Sequence, residues 1–287
     1  MSTDADNRGR TMPGTHHSAG AGAAAADQAL LPAVAAAVQA AGARMLQDFS
    51  YDARPQDRTA VAQAIQAGDA VSLQVLRDAL LAARPGAGWV EDELESGDLP
   101  EGEWWICDPV EGAINHVHGM TNWCVTATLV RDNVPVVTAV SQPTTGNLYT
   151  AVRGGGAHLD GVRLRPSAKT ALDAAYVSTG QAAPGEGSET HRRIGQSVTA
   201  MLADALLVCV AVPATSQLVH VAAGRMDAFW QHSQVRSGLV PGALLVSEAG
   251  GTVTDTHGRP WTLASPDFLA AAPGIHQAAV DILSTIA

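Results

Sequence analysis

Past its opening segment the chain carries apolar residues at two different periods, and the change between them outlines an architecture. Leu30, Val34, Val38, Ala41, Met45 and Phe49 recur at steps of three and four, one face of an amphipathic helix, with Pro32 suited to its first turn. A second helical pattern occupies 69–83 through Val71, Leu73, Leu76, Leu80 and Leu81, and the turn chemistry of "RPGAG" ends it. The apolar spacing then shortens. "GWV", "WWIC", "CVTATLV", "PVVTAV" and "NLYTAV" predict strands linked by short turns such as "RDNVP" and "PTTGN". Two helices feeding a meandering sheet make residues 28–167 an α+β half.

From residue 168 onward the elements alternate. "AAYVST", "ALLVCVAV", "MDAFWQ" and "TVTD" predict strands. Residues 191–203, 216–223, 241–249 and 275–286 predict helices, the third starting at Pro241 and stopped by Gly250 and Gly251. This alternation predicts an α/β half, residues 168–287, packed on the first and completing a pocket with it. Residues 1–27 are rich in Gly, Ala and polar side chains and lack the basic-then-apolar order of a signal peptide, which predicts a disordered tail on a cytoplasmic protein.

Composition narrows the function. With 287 residues, 46% of them hydrophobic, the chain can bury a large core. A net charge of −11 and the lack of any Lys/Arg-rich run argue against nucleic acid and anionic membranes as partners, leaving a small-molecule substrate. No stretch reaches the roughly 18 apolar residues of a membrane span. Cys107, Cys124 and Cys209 are odd in number with no C-x-x-C spacing, which argues against a disulfide framework and a zinc ribbon and fits a reducing compartment. Cys107 and Cys124 lie in apolar runs and read as core.

The chemistry concentrates in "WWICDPVEGAINHVHG", which resembles the signature of the inositol monophosphatase family, W-I-x-D-P-x-D-G-T-x-N-F-x-H-G. The likeness continues in "AGDAVSLQVLRDALLAARPGAGWVEDE", similar to the family's T-x-x-D helix leading to G-E-E, in "NLYTAVRGGGAHLDGVRLRPS", and in "VAAGRMDAFWQ" with "GALLVSEAGGTVTD". It spans Leu30 to the end. The resemblance implies a layered αβαβα sandwich, a homodimer, and an acidic cluster holding Mg²⁺, a cation that prefers carboxylates and water in near-octahedral geometry. It also implies that backbone N–H groups after the acidic strand cradle a phosphate.

Asp108 matches the family's bridging aspartate, Gly112 keeps the turn, and Asn115, His118 and Gly119 match as well. The departures fall on the chemistry. Glu111 stands where the family has its second aspartate. Asp92 stands at the first glutamate of G-E-E by an ungapped match back to Asp69, with Glu93 beside it; a shift of one would put Glu91 there instead. Each exchange moves a carboxylate by about 1.5 Å, one bond length, against metal–oxygen distances that Mg²⁺ holds at roughly 2.0–2.1 Å. Ala113 replaces a threonine whose hydroxyl orients the attacking water in the family. Counting back from "SEAGG" puts Ser237 and Gly238 at the family's Trp-Asp pair, where Gly238 offers no ligand. On the substrate side Gln231 replaces an acid, and Val212 to Ala214 replace G-S/T-A, so inositol phosphate is a poor fit.

Metal ligation, where retained, falls to Asp92, Asp108 and Glu111, with either no cofactor or a single Mg²⁺. Carboxylates gathered without their full complement of cations repel, so one should keep a proton near neutrality and serve acid–base chemistry. Asp92, Glu93, Asp108 and Glu111 are the candidates, joined by His116, in place of the family's Phe, and His232, which follows Gln231. Gly112, Ala113, Gln231, Arg236 and Gly238 are the expected substrate-side positions, Arg236 as a fork for an anionic group. Three readings follow: metal-independent acid–base catalysis such as cyclisation, elimination or isomerisation of a small metabolite; a residual Mg²⁺-dependent phosphomonoesterase on a non-inositol substrate; and an inactive binding or assembly protein. The first is placed narrowly ahead because two working groups are lost from one site.

Overall fold

A computed structural model describes residues 16–92, 97–183, 185–233 and 235–286, with side chains from residue 22 onward. Helices α1 (His16–Asp48) and α2 (Arg58–Ala83) precede a seven-stranded sheet in the order β1 (Gly88–Trp89), β2 (Glu103–Glu111), β3 (Cys124–Arg131), β4 (Val134–Gln142), β5 (Asn147–Val152), β6 (Gly156–Leu159), β7 (Val162–Arg163). All neighbours are antiparallel except β1 with β2. The short α3 (Ala113–Val117) leaves the end of β2.

The second half contributes β8 (Tyr176–Thr179), α4 (Ser188–Asp204), β9 (Leu207–Val210), α5 (Ala214–Ala222), β10 (Ala228–Gln231), α6 (Arg236–Ala249), β11 (Thr252–Thr254), β12 (Phe268–Ala271) and α7 (Pro273–Leu283). Its sheet runs β11-β12-β10-β8-β9. Three apolar cores hold five layers together, the middle one lying on both sides of α5 and α6. Val34, Val38, Leu76 and Leu80 of α1 and α2 bury against Trp105, Val125 and Leu129. Leu218, Leu239 and Leu245 of α5 and α6 lie between the sheets with Tyr149 and Phe229. Met201, Ile275 and Leu283 of α4 and α7 cover Trp230 and Leu269. The arrangement is the αβαβα sandwich expected.

Several boundaries differ from the sequence reading. Residues 16–27, expected in a tail, belong to α1, because an alanine-rich run has the highest intrinsic helix propensity; Pro32 is therefore interior. Asp27 in that stretch is 5% exposed and takes both Arg131 guanidinium nitrogens at 2.6 and 3.0 Å, while Arg131 also holds Glu103 at 2.8 Å. The Gly22–Asp48 part of α1 is long and apolar enough by composition to span a bilayer, which the sequence reading did not expect; one face of it buries Val34, Val38 and Met45 inside the protein. The sixth helix begins at Arg236, five residues before Pro241, since burial between two sheets outweighs the proline's missing donor. Asp57 caps α2 by accepting from the Ala60 N–H at 2.8 Å, and the periodic stretch that began at Asp69 is only that helix's second half.

Removing Asp27 leaves Arg131 with Glu103 as its remaining partner and access to water. Asp27→Ala is therefore expected to lower stability by about 1–2 kcal/mol, the scale of lost charged hydrogen bonds, measured by urea denaturation; an unchanged midpoint would show that this part of α1 adds nothing to the core.

Candidate active site

Asp108 and Glu111 lie three positions apart, and in a regular strand an odd separation puts two side chains on opposite faces. The register of β2 against β3 removes that problem. Asp108 pairs with Thr126 and Glu111 with Cys124, so three steps on one strand oppose two on its neighbour. The extra residue is a β-bulge at Pro109–Val110, where proline has no N–H to give the ladder. Both acids consequently reach the same face, each 7% exposed. Asp108 Oδ1 accepts the Val110 N–H at 2.9 Å, which locks the bulge.

Past Glu111 the chain turns sharply. Gly112 has φ +89°, and a Cβ there would sit 2.9 Å from Pro213 Cγ, so both conformation and space require glycine. Asn115 in α3 donates to the Asn122 carbonyl at 2.7 Å and the Val212 carbonyl at 3.0 Å, tying the turn to the start of α5. Ala113 begins α3 and offers no polar side chain. Across the pocket, a Cβ on Gly238 would lie 3.0 Å from Glu111 Oε1, which accepts the Thr215 N–H in the first turn of α5 at 3.3 Å. Glu111's additional methylene thus reaches toward the space a side chain at 238 would use, and its carboxylate sits at a helix start, where negative charge is favoured. Thr215 Oγ1 donates to the Gly238 carbonyl at 2.8 Å, joining α5 and α6 behind it.

The other predicted residues disperse. Asp92 is exposed at the exit from β1, and Glu93 lies outside the described residues. Glu91, the alternative to Asp92, is gripped by Arg77 through two bonds of 2.6 and 2.9 Å that hold its carboxyl below the usual range, so it is committed to that pair. Gln231 is buried at the end of β10, with Nε2 donating to the Ser233 carbonyl at 3.1 Å, and Gly180 leaves room for its amide. Arg236, 4% exposed, donates to the Gly97 carbonyl at 3.0 Å.

Neither histidine stands as a neutral-pH base of this pocket. His116 packs at 4.9 Å edge-on to Trp123 and 5.4 Å from Phe49, in the cluster between α1 and α3, and burial lowers its pKa. His232 is buried beside Arg193 and Asp267; burial, reinforced by Arg193, brings it down to about 4. His118 Nδ1 meets the Ile114 carbonyl at 2.7 Å within the turn. Cys107 and Cys124 are buried, and desolvation pushes both thiols up, for Cys124 with help from Glu111 and Asp108.

Among the described residues the carboxyl raised toward neutrality is Asp69, which was not one of the expected candidates, and its cause is desolvation rather than charge crowding. Half-buried on α2, its pKa rises to about 6 through desolvation. It stands one turn before Ser72, whose hydroxyl donates to the Pro109 carbonyl at 3.1 Å, so Asp69 shares the helix face that meets the bulge. Its signal in the sequence was an acid in line with Ser72, Leu76 and Leu80, at the spacing of a buried stripe. Elsewhere Asp255, His257 and Asp267 bring ligand atoms within 4.8 Å of one another. Arg259 at 2.5 Å and Arg193 at 3.2 Å already meet those carboxylates, and Asp255 also accepts two backbone N–H groups, so the cluster is a satisfied turn.

The profile of the inositol monophosphatase family matches residues 26–286. An inositol-1-monophosphatase of Rhizobium meliloti is 33% identical over 235 residues, 81% of this chain and 88% of the relative. A putative Nus factor SuhB of Neisseria meningitidis is 30% identical over 82% of this chain and 90% of its own. Among solved structures, the extragenic suppressor protein SuhB of Bartonella henselae superposes with a TM-score of 0.75 at 26% identity, covering 89% of this chain and 99% of that one. An inositol monophosphatase from Anabaena gives 0.75 at 24%, covering 91% and 97%, a likeness of fold.

Asp69 and His232 tie stability to pH in opposite senses. Asp69's folded value lies above its unfolded 3.8, so its contribution is full below that value and is lost as pH rises through about 6. His232's folded value lies below its unfolded 6.5, so its contribution is present above 6.5 and lost as pH falls toward about 4. Asp69→Asn is therefore expected to stabilise the protein at pH 7.5 and leave a fold that weakens more steeply on acidification, read by urea midpoints between pH 4 and 8.

Proposed function

Because the chain belongs to the inositol monophosphatase family, we propose that it is an enzyme acting on a small polar metabolite, redirected from phosphate ester hydrolysis to acid–base catalysis. The observation that carries this reading is the pairing of Gly238 with Glu111. A position facing the pocket has no side chain, and the neighbouring carboxylate is drawn toward that space and bound by Thr215. Asp108 and Glu111 are then the two buried carboxylates at the bulge, a donor set that fits one Mg²⁺ and not a pair. When bound, such an ion would polarise a substrate oxygen.

The remaining chemistry belongs to the chain. Asp69, titrating near neutrality, is matched to take a proton at one carboxyl oxygen and return it, as cyclisation, elimination or isomerisation requires. Asp108 and Glu111 supply fixed negative charge that stabilises a developing cation. Gln231 and Arg236 are each committed to a backbone carbonyl, of Ser233 and of Gly97, and take no part in the step. The buried walls exclude water, which strengthens each of these electrostatic effects.

A second reading is favoured by the relatives named for inositol-1-monophosphatase activity: a phosphomonoesterase with one Mg²⁺, Asp69 taking the proton of the attacking water in place of the hydroxyl absent at Ala113. The two part on a direct test. The redirected enzyme releases no phosphate from a phosphomonoester panel above background with or without Mg²⁺, and Mn²⁺ titration finds at most one ion. Gly238→Asp, by restoring a carboxylate, tightens Mn²⁺ about tenfold or more. Mg²⁺-dependent phosphate release by the unaltered protein sinks the first reading. Asp69→Asn is expected to cut turnover about 10²–10⁴-fold and remove the acid limb of the pH–rate profile.

A cytoplasmic homodimer completes the proposal. β9 is an edge strand, and Leu206, Leu207 and Val210 are 69, 52 and 52% exposed there, beside exposed Leu202. An open edge flanked by apolar side chains is a pairing surface for a second copy. Light scattering should report a dimer that Leu207→Lys converts to monomer; a monomeric unaltered chain contradicts it.

A further inference from the structure

Toward the end of α6 that lies away from Glu111, a cleft of about 270 Å³ opens between that helix, the start of β4, the turn from β5 to β6 and the loop from β11 to β12. Gly238, beside Glu111, and Ser247, in the cleft, are separated by about 14 Å of helix, and Asp69, Asp108 and Glu111 take no part in the lining. The floor is apolar, formed by Pro135, Leu244, Val253 and Trp261, whose ring is anchored edge-on to Phe268 at 5.3 Å. The volume lies just under the about 300–1,000 Å³ of sites for larger ligands, and an apolar floor with a few placed polar groups is how such sites are built.

Three polar side chains join that floor, and all are accessible: Arg153 and Ser247 are exposed and Glu248 is partly so. Glu248 is held in place by the β5–β6 turn, its Oε1 accepting the Gly154 N–H and its Oε2 the Gly156 N–H, each at 2.8 Å. A carboxylate oxygen has two lone pairs, so each keeps one acceptor site. Arg153, immediately before that turn, spends its backbone N–H on the Val136 carbonyl at 2.9 Å, while its guanidinium makes no hydrogen bond or ion pair among the described residues. A cation and an anion therefore line one cleft without neutralising each other. A carboxylate fits the planar guanidinium fork, yet by itself it would meet the like charge of Glu248; an ammonium fits Glu248, yet by itself it would meet Arg153. A molecule that carries both groups answers both and, like the pair of side chains, has no net charge.

We infer that this cleft binds the zwitterion of an aromatic α-amino acid, its carboxylate on the Arg153 guanidinium and the Ser247 hydroxyl, its ammonium on Glu248, and its ring against Trp261, Pro135 and Leu244. The occupant bridges the β5–β6 turn to α6, the helix whose first turn carries Gly238 opposite Glu111.

Calorimetric titration of the full chain with L-phenylalanine tests this, with 3-phenylpropionate, which lacks the ammonium, and phenethylammonium, which lacks the carboxylate, as controls. One saturable site is expected, about tenfold or more tighter for phenylalanine than for either control, the scale of one lost charged hydrogen bond. Arg153→Ala should weaken phenylalanine about tenfold and bring it level with phenethylammonium, with Tm unchanged because the guanidinium holds nothing else. Ser247→Phe, which fills the cleft from the exposed face of α6, should abolish binding. Glu248→Gln should bring phenylalanine level with 3-phenylpropionate, and the two exposed variants keep the test decisive if that change loosens the β5–β6 turn. Absent saturation, either control binding as tightly as phenylalanine, or binding untouched by Arg153→Ala or by Ser247→Phe would each overturn the assignment.

Discussion

The site depends on one inserted residue in β2. Strand geometry sends Asp108 and Glu111 to opposite faces, and only the bulge at Pro109–Val110, opposite the two-step interval from Thr126 to Cys124, turns them together. The bulge has a local cause, because Pro109 cannot donate to the ladder, and local supports, because Asp108 accepts from Val110 and Ser72 donates to the Pro109 carbonyl. Everything that follows in the pocket is hung from it: the left-handed Gly112, the short α3, the contact with Pro213 at the mouth of α5, and the half-buried Asp69 on the helix face that covers it.

A second constraint is the reciprocity between Glu111 and Gly238. A longer acid on β2 faces a missing side chain on α6, and the longer acid is taken by the first turn of α5. Such a pair keeps the volume of a site while changing its charge. One carboxylate fewer means less demand for cations, and in the proposed reaction the desolvated Asp69 is the group that exchanges the proton. Electrostatics, not a new fold, carries the proposed change of task.

The fold was legible because its strongest signals are periodic. The seam of α1, the α2 stripe through Leu76 and Leu80, and the largely buried β3 and β4 each follow from a pattern that burial imposes. Boundaries were less so, since they follow from competition between local preference and packing: alanines carried α1 back through residues expected in a tail, and burial carried α6 past Pro241. The histidines show the same limit at the site. Position 116 and position 232 read as pocket bases because they adjoin motif residues, yet helix direction and strand end sent one into an aromatic cluster and the other toward Arg193.

By itself the sequence determined the succession of helices and strands, the acids at 108 and 111, and the blanks at Ala113 and Gly238, because identity and spacing are properties of the chain alone; the layer order followed from the family resemblance. Only the tertiary structure decided which acid is desolvated, that Glu91 is spent on Arg77, and that Glu111 points at the space beside Gly238. Those outcomes depend on which surfaces meet, and the pKa of a carboxyl is fixed by the water that its neighbours remove.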